Sequence, residues 1–122
     1  MRTLSIKQLS NGEKTDPLMY LSKFQWHYRL KIGAFHANGN IKDSLISHKG
    51  HAFSTKDRDN DSNTSGNCAY TWKGGWWYYN CHSSNLNGKN LGQGKSDYTS
   101  MCWSTFGSCD SLKSIKMAIR PQ

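Results

Sequence analysis

The chain has 122 residues, 35% of them hydrophobic, and a formal net charge of +8 at pH 7. This length suffices for one small domain, and because no apolar span reaches roughly 18 residues, the sequence predicts no membrane insertion. The sixteen basic residues are scattered from Arg2 to Arg120 without a run of about five or more, which argues against nucleic-acid binding. The positive charge still favours polyanions such as acidic polysaccharides.

The N-terminal part of the chain predicts strands. Residues 3–9 and 17–25 flank Asn11-Gly12, a dipeptide typical of tight hairpin turns, and therefore predict a β-hairpin. Along 26–35 apolar and polar residues alternate, which predicts a strand with one buried face. The apolar members of this alternation are Trp26, Tyr28, Leu30, Ile32 and Ala34.

The remainder of the chain is mostly aperiodic. Residues 36–111 are rich in Gly and Asn, which predicts loops, and stretches of this kind commonly carry binding sites. At the C-terminus Leu112, Ile115, Met117 and Ile119 are interleaved with polar and basic residues, which predicts a closing strand that ends at Pro121.

An acidic cluster follows the predicted N-terminal strands. Three of the eight acidic residues of the chain fall within 57–61, a segment that reads DRDND. Calcium takes about six to eight oxygen ligands, which such a segment supplies, although an EF-hand is excluded because Ser62 and Cys68 replace its Gly and Glu. A solvated acidic turn rich in Asx residues explains the spacing equally well.

The cysteine residues indicate an oxidising compartment. Four cysteines fit either two disulfides or one metal site, and without Cys-x-x-Cys spacing we favour disulfides. No secretion signal is visible in residues 1–20, which lack an apolar h-region. The four residues are Cys68, Cys81, Cys102 and Cys109.

The segment between the first two cysteines is rich in aromatic residues. A disulfide across 68–81 would make this loop rigid. We expect Trp76 and Trp77 to fill the core, and Tyr70 and Trp72, nearer the loop tip, to form an exposed apolar wall.

Two further features remain open from the residues alone. Cys102 and Cys109 are close enough for a second local disulfide, with a free buried pair as the alternative. His82 follows Cys81, and a lone histidine is more often structural than functional. Neither a serine-histidine-acid order nor paired carboxylates points to catalysis, so we expect no enzyme.

Several segments together resemble the fibrinogen C-terminal domain family in order and spacing. The resemblance covers nearly the whole chain. The matching segments are 28–30 (YRL), 43–45 (DSL), 53–61 (FSTKDRDND), 66–69 (GNCA), 75–78 (GWWY), 80–82 (NCH), 85–88 (NLNG), Trp103, 111–113 (SLK) and 117–121 (MAIRP).

The resemblance implies an α+β fold that is irregular and loop-rich, with a small, mostly antiparallel sheet. In this interpretation residues 1–52 are the remainder of a central sheet subdomain, 53–111 form a calcium- and ligand-binding loop subdomain, and 112–122 form the closing strand. The family's N-terminal subdomain has no counterpart before Met1, so we expect a truncated product or a fragment of a longer secreted chain. The full-length form would then be able to cluster into homo-oligomers.

The resemblance also implies a bound calcium ion, held by Asp59 and Asp61 and by two backbone carbonyls. Counting forward from the aspartates and counting back from the first cysteine give different carbonyls, because this loop is one residue longer than the usual pattern. The two candidate pairs are Asn63 with Ser65, and Thr64 with Gly66.

A ligand pocket beside the calcium loop is implied by the acetyl-binding members of the family. They also imply a cis peptide bond between Asn80 and Cys81. An aromatic residue that often completes the pocket is replaced near Ser108, and a pair like Cys102 and Cys109 is not a general family feature. The matching pocket positions are Trp72, Cys81, His82 and Tyr98.

The predicted function is therefore calcium-dependent extracellular recognition by a lectin-like module that binds acetylated or acidic glycans. The family includes ficolins, tachylectins, tenascins and angiopoietins. The alternative is a protein-binding adhesion or receptor-ligand module of the tenascin or angiopoietin type, in which the pocket is vestigial.

Overall fold

A computed structural model of the chain describes residues 3–5, 28–37 and 39–118. Regular elements are short and widely spaced, and the described part of the chain consists mainly of turns and loops. No helix within it is long and apolar enough to cross a bilayer. The elements are strand β1 (Thr3–Ser5), a 3-10 helix (Ile46–His48), helix α1 (Cys68–Trp72), and strands β2 (Ser84–Asn85), β3 (Cys102–Trp103) and β4 (Ser114–Lys116).

Two small sheets organise these elements. Strands β2 and β3 pair antiparallel, with Ser84 opposite Trp103, whereas β1 and β4 pair parallel, with Leu4 opposite Ile115. Of the isolated bridges among the described residues, those joining 54 to 76, 55 to 58 and 96 to 110 are antiparallel, and that joining 89 to 100 is parallel. The expected loop-rich α+β fold with mostly antiparallel pairing is confirmed.

The strand predicted over 26–35 is wrong for its described part. Residues 28–37 form no strand, because Tyr28 has a left-handed backbone (φ 55°) and Leu30 bonds to a turn instead of a neighbouring strand. The Leu30 amide donates to the His51 carbonyl (3.0 Å), and the Gly50 amide donates to the Leu30 carbonyl (2.8 Å). Within the described part of the chain, no second strand pairs with this segment.

The predicted hairpin falls mostly outside the described residues. Residues 3–5 form β1, but its described partner is β4 at the other end of the chain. The Asn11-Gly12 turn and the segment 17–25 lie beyond the described residues. The predicted closing strand appears as β4, and Ile119 and Pro121 likewise lie outside the described part.

Large aromatic residues fill the core. Trp76 and Trp77 are both buried, as expected from the sequence, and Tyr78 and Trp103 are completely inaccessible to solvent. Buried indole N–H groups usually find a hydrogen-bond partner, although the Trp76 Nε1 has none among the described residues. The Trp103 Nε1 donates to the Lys42 carbonyl (3.0 Å) and the Trp77 Nε1 to the Tyr28 carbonyl (2.8 Å). These bonds anchor the loop residues Tyr28 and Lys42 to the aromatic core.

Candidate ligand-binding site

Helix α1 positions the first wall of the candidate site. Asn67 caps it, since its Oδ1 accepts from the Tyr70 amide (2.9 Å), and Lys73 ends it in a left-handed conformation (φ 60°). Cys68 and Trp72 are four residues apart and therefore share one face of the helix. This face is directed inward: Cys68 is fully buried and Trp72 packs against the core.

A disulfide joins the start of the helix to the second wall. Cys68 is bonded to Cys81, and the Asn80–Cys81 peptide bond is cis. Asn63 approaches the same cysteine, with its Nδ2 3.7 Å from the Cys81 sulfur. The acidic loop, helix α1 and the segment that carries His82 therefore meet at one disulfide.

Three rings form what we call the aromatic cup: Trp72, His82 and Tyr98. The ring centroids of Trp72 and His82 lie 5.6 Å apart and nearly perpendicular (87°). Tyr98 lies 6.0 Å from each of them. The cup thus offers an apolar, ring-lined surface that is open to solvent, since Tyr98 is 58% exposed.

A cavity of about 410 Å³ opens at the cup. The structure brings the four predicted pocket residues together around it. Thr71 and Asn80, each a direct neighbour of a predicted residue, also line the cavity, although the sequence did not assign them to the pocket. Asn63, predicted as a calcium ligand, also contributes to the lining. The lining residues are Asn63, Thr71, Trp72, Asn80, Cys81, His82 and Tyr98.

Tyr70, expected beside Trp72 in the exposed wall, does not line the cavity. It is 66% exposed and has the Lys73 ammonium group 4.7 Å from its ring centroid. Helical geometry explains the difference, because residues two apart point to different faces of a helix. Recognition of Asn67 as a cap would have revealed the helix and separated the two aromatic residues.

A hydrogen bond to the backbone carbonyl of Tyr98 holds His82 in one tautomer. Its Nε2 lies 2.9 Å from the Tyr98 carbonyl, which can only accept a hydrogen bond, so Nε2 carries the proton. Burial lowers the pKa of His82, and the bond to Tyr98 opposes that effect. A neutral His82 therefore ties the two sides of the cup together across sixteen residues of chain.

A second histidine, His48, holds the backbone that directly follows His82. It is fully buried, with Nδ1 2.7 Å from the Trp77 carbonyl, while Nε2 accepts from the amides of Ser83 (3.1 Å) and Ser84 (3.2 Å). Burial lowers the pKa of His48 to about 4, opposed by the Trp77 bond and aided by the nearby His82 and His51. Sequence reasoning missed His48, since its local sequence gives no sign of these distant partners.

The acidic loop is folded by a series of side-chain to backbone hydrogen bonds. Asp59 Oδ1 accepts from the Asp61 amide (3.1 Å), Asp61 Oδ1 from the Asn63 amide (2.8 Å), and Asn63 Oδ1 from the Ser65 amide (3.0 Å). Each is an Asx turn of the kind that the composition predicted. The other Asp61 oxygen, Oδ2, accepts from the Cys68 amide (2.8 Å) and so joins the loop to helix α1.

The donor set of the loop fits a calcium ion. Burial raises the pKa of Asp61, the amides of Cys68 and Asn63 oppose this effect, and the neighbouring Asp59 carboxyl adds to it. Two adjacent carboxyl groups of this kind are compatible with a cation that prefers hard oxygen ligands. The described residues include no cluster of three or more His, Cys, Asp or Glu suited to a metal, so further ligands would be backbone carbonyls and water.

Comparisons with known proteins all point to the same family of domains. The family model of the C-terminal globular domain of fibrinogen beta and gamma chains matches residues 16–122. Tenascin-R of Gallus gallus is 58% identical over 62 residues, which cover 51% of this chain and 4% of that protein. Angiopoietin-related protein 6 of Homo sapiens is 48% identical over 99 residues, which cover 78% of this chain and 20% of the relative.

A solved structure agrees with these sequence matches. The fibrinogen-like globe domain of human ANGPTL2 superposes with a TM-score of 0.63 at 45% identity, covering 74% of this chain and 42% of that domain. The chain spans less than half the length of each of these relatives.

Proposed function

Because the chain belongs to the fibrinogen C-terminal domain family, we propose that it is an extracellular recognition module without enzymatic activity. The observation that carries this proposal is the aromatic cup beside the acidic loop. Its cavity combines ring faces with the polar side chains of Asn63, Thr71 and Asn80, a lining typical of binding sites. Both disulfides are in keeping with an oxidising compartment.

The partner that we propose is an extracellular protein. The similarity to tenascin-R and to angiopoietin-related protein 6 supports this class of partner. Two exposed tyrosines add physical support: Tyr70 is 66% and Tyr98 58% exposed, at helix α1 and at the cup. Tyrosine is enriched at protein interfaces because it combines a large apolar area with a polar tip.

An acetylated or acidic glycan is the second candidate ligand. It is favoured by the cup itself, whose three rings could enclose a methyl group while neighbouring N–H groups hold a carbonyl oxygen. The net charge of +8 would favour acidic members of this class.

Two alanine variants distinguish these partners. A protein that covers both helix α1 and the cup should lose at least about tenfold in affinity with Trp72→Ala and also with Tyr70→Ala. The affinity for a glycan seated in the cavity should fall with Trp72→Ala but not with Tyr70→Ala, since Tyr70 is not part of the lining. Purified extracellular-matrix proteins and an array of N-acetylated and sialylated glycans are suitable probes, with binding measured by biolayer interferometry.

Tyr28→Ala is the matched control, since Tyr28 is another exposed tyrosine (63%) that does not line the cavity. It should bind like the unmodified chain. Equal binding by the Trp72→Ala and Tyr28→Ala variants to every probe that the unmodified chain binds would contradict a role for the cup.

We also propose that the acidic loop binds calcium through Asp59 and Asp61. When bound, the ion would neutralise the two carboxylates and link the loop to the backbone around it. Asn63 with Ser65, or Thr64 with Gly66, would add the carbonyl ligands. The proposal is supported by the oxygen donor set and by the unfavourable proximity of the two carboxyl groups.

Asp59→Ala tests the metal proposal. At a calcium concentration ten times the dissociation constant, linkage stabilises the unmodified chain by about 1.4 kcal/mol. The variant should lose this increment in calcium and melt like the unmodified chain in chelator, as followed by differential scanning calorimetry. Asp57→Ala is the control, since Asp57 is exposed and its carboxylate accepts a local hydrogen bond from the Thr55 hydroxyl. Calcium-independent melting of the unmodified chain would contradict the proposal.

A further inference from the structure

The Cys102–Cys109 disulfide does not line the cup, but it is attached to the small sheet that directly follows the cup residue His82. Cys102 lies in β3, which pairs with β2, and is bonded to Cys109 seven residues later. Both cysteines are buried. Strand β2 begins at Ser84, two residues after His82. The disulfide therefore fastens Cys109 to the same small sheet that follows the cup.

The residues at and before Cys109 adopt an unusual backbone. Gly107, Ser108 and Cys109 all have positive φ values, of 85°, 50° and 66°. Only glycine adopts this left-handed region readily, because in other residues Cβ crowds the following carbonyl. Ser108 and Cys109 must therefore be held in place by other contacts. One of these contacts is covalent: the disulfide that joins Cys109 to Cys102 in β3.

This left-handed turn contacts the segment 95–100 at several points. The Ser100 hydroxyl donates to the Cys109 carbonyl (2.9 Å), and the Ser96 hydroxyl donates to the Ser108 carbonyl (3.3 Å). Just beyond the turn, the Ser111 amide donates to the Lys95 carbonyl (2.8 Å). These contacts attach one side of the segment 95–100 to the turn.

The segment 95–100 carries Tyr98, the outer wall of the cup. It contains no helix or strand of its own, so its path is set by its neighbours. Lys89 holds the other side, with its amide donating to the Thr99 carbonyl (2.7 Å). Displacement of the turn would break the contacts of the segment 95–100 with Ser108 and Cys109. Tyr98 would then move relative to Trp72 and His82.

We propose that the Cys102–Cys109 disulfide positions Tyr98: it holds the left-handed turn 107–109, which holds the segment 95–100 against the cup. This role rests on the proposed function of the cup in recognition. It gives the second disulfide, which sequence reasoning could not assign, a part in setting the shape of the ligand site. Cys102 and Cys109 are positioning residues and need not touch the ligand.

The test measures the cup without any ligand, so that it is independent of the partner. In the unmodified chain, ring protons of Trp72 and Tyr98 should give nuclear Overhauser effects, and the intact mass should correspond to two disulfides. Cys102→Ala/Cys109→Ala should lose at least half of the Trp72–Tyr98 intensity. The nuclear Overhauser effects between Phe53 and Trp77, whose ring centroids lie 5.2 Å apart in the core, should stay unchanged.

A second double variant isolates the backbone argument. Cys102→Ala/Cys109→Gly also removes the disulfide but places glycine where φ is positive, so it should recover part of the lost intensity. Free thiols at both cysteines, or full Trp72–Tyr98 intensity in the double alanine variant, would overturn the proposal. Equal losses in the two double variants would overturn the role of the left-handed turn.

A variant that keeps the disulfide covers the case in which both double variants fail to fold. Ser100→Ala removes the bond to the Cys109 carbonyl and should weaken the Trp72–Tyr98 effect. Ser84→Ala is its matched control: Ser84 is equally buried, and its hydroxyl has no partner within the described part of the chain. Equal intensities in these two variants would contradict the proposed link from the turn to Tyr98.

Discussion

Replacement of His48 by alanine should lower the free energy of unfolding by at least about 3 kcal/mol at pH 7.5. The change leaves three backbone groups without their partner: the buried Trp77 carbonyl and Ser84 amide, and the partly buried Ser83 amide. Each such group costs about 1–3 kcal/mol, and the emptied volume adds to the loss. Urea denaturation followed by far-UV circular dichroism gives the measurement.

The destabilisation should shrink as the solution is acidified. Burial lowers the pKa of His48 from 6.5 to about 4, so between these values the unfolded chain binds a proton that the folded chain does not. Stability contributed by neutral His48 is therefore present above pH 6.5 and is lost as the pH falls toward 4. This loss amounts to about 3 kcal/mol in the unmodified chain. The nearby His82 and His51 lower the pKa of His48 further, and the ring of Tyr79 packs against it with centroids 5.1 Å apart.

His51→Ala is the matched control for this comparison. His51 also packs against the ring of Tyr79, 5.8 Å away, but it is only half-buried. We expect a change within about 1 kcal/mol for this variant. A constant difference between the unmodified chain and His48→Ala from pH 7.5 to 4 would mean that His48 does not titrate as its buried bonds require.

Gly88→Ala should destabilise the fold by about 3 kcal/mol. A Cβ atom at this position would collide with the Ser100 carbonyl oxygen and lie 2.7 Å from the Thr99 carbonyl oxygen. Both contacts are to backbone, which cannot rotate away, so the segment would have to move. The movement would break the bonds from the Lys89 amide to Thr99 and from the Met101 amide to Lys89. Thermal denaturation measures the loss.

Gly66→Ala is the control for this steric effect. A Cβ atom at Gly66 would approach only the Asn63 Nδ2, at an ordinary 3.8 Å. Measured in chelator, this variant should be as stable as the unmodified chain or slightly more so, since alanine restricts the unfolded state. If the Gly88→Ala and Gly66→Ala variants have equal melting temperatures, the close approach of residues 88 and 100 is not rigid.

Much of the candidate site could be predicted because its parts are close in sequence. Cys68 and Cys81 lie thirteen positions apart, and the acidic loop directly precedes the first of them. Local spacing of this kind constrains geometry directly, and the segments that resemble the family lie in the same stretch. The loop-rich fold followed in turn from the high Gly and Asn content and the absence of periodicity.

Long-range pairing could not be read in the same way. Residues 26–35 have the alternation of a strand, yet strand formation requires a partner. Leu30 instead bonds to the backbone of the turn at 50–51. Tyr70 and Trp72 look equivalent in the sequence, but the short helix that separates them is fixed by the Asn67 cap and by the disulfide.

The sequence by itself determined the family, the oxygen-rich loop and the aromatic composition of this protein, because these depend on residue types at short spacings. Only the tertiary structure decided which groups meet. His48 bonds to groups 29 to 36 residues away, and Tyr98 reaches His82 across sixteen. Such contacts depend on how loops close on a common core, and that closure is a property of the whole packed chain.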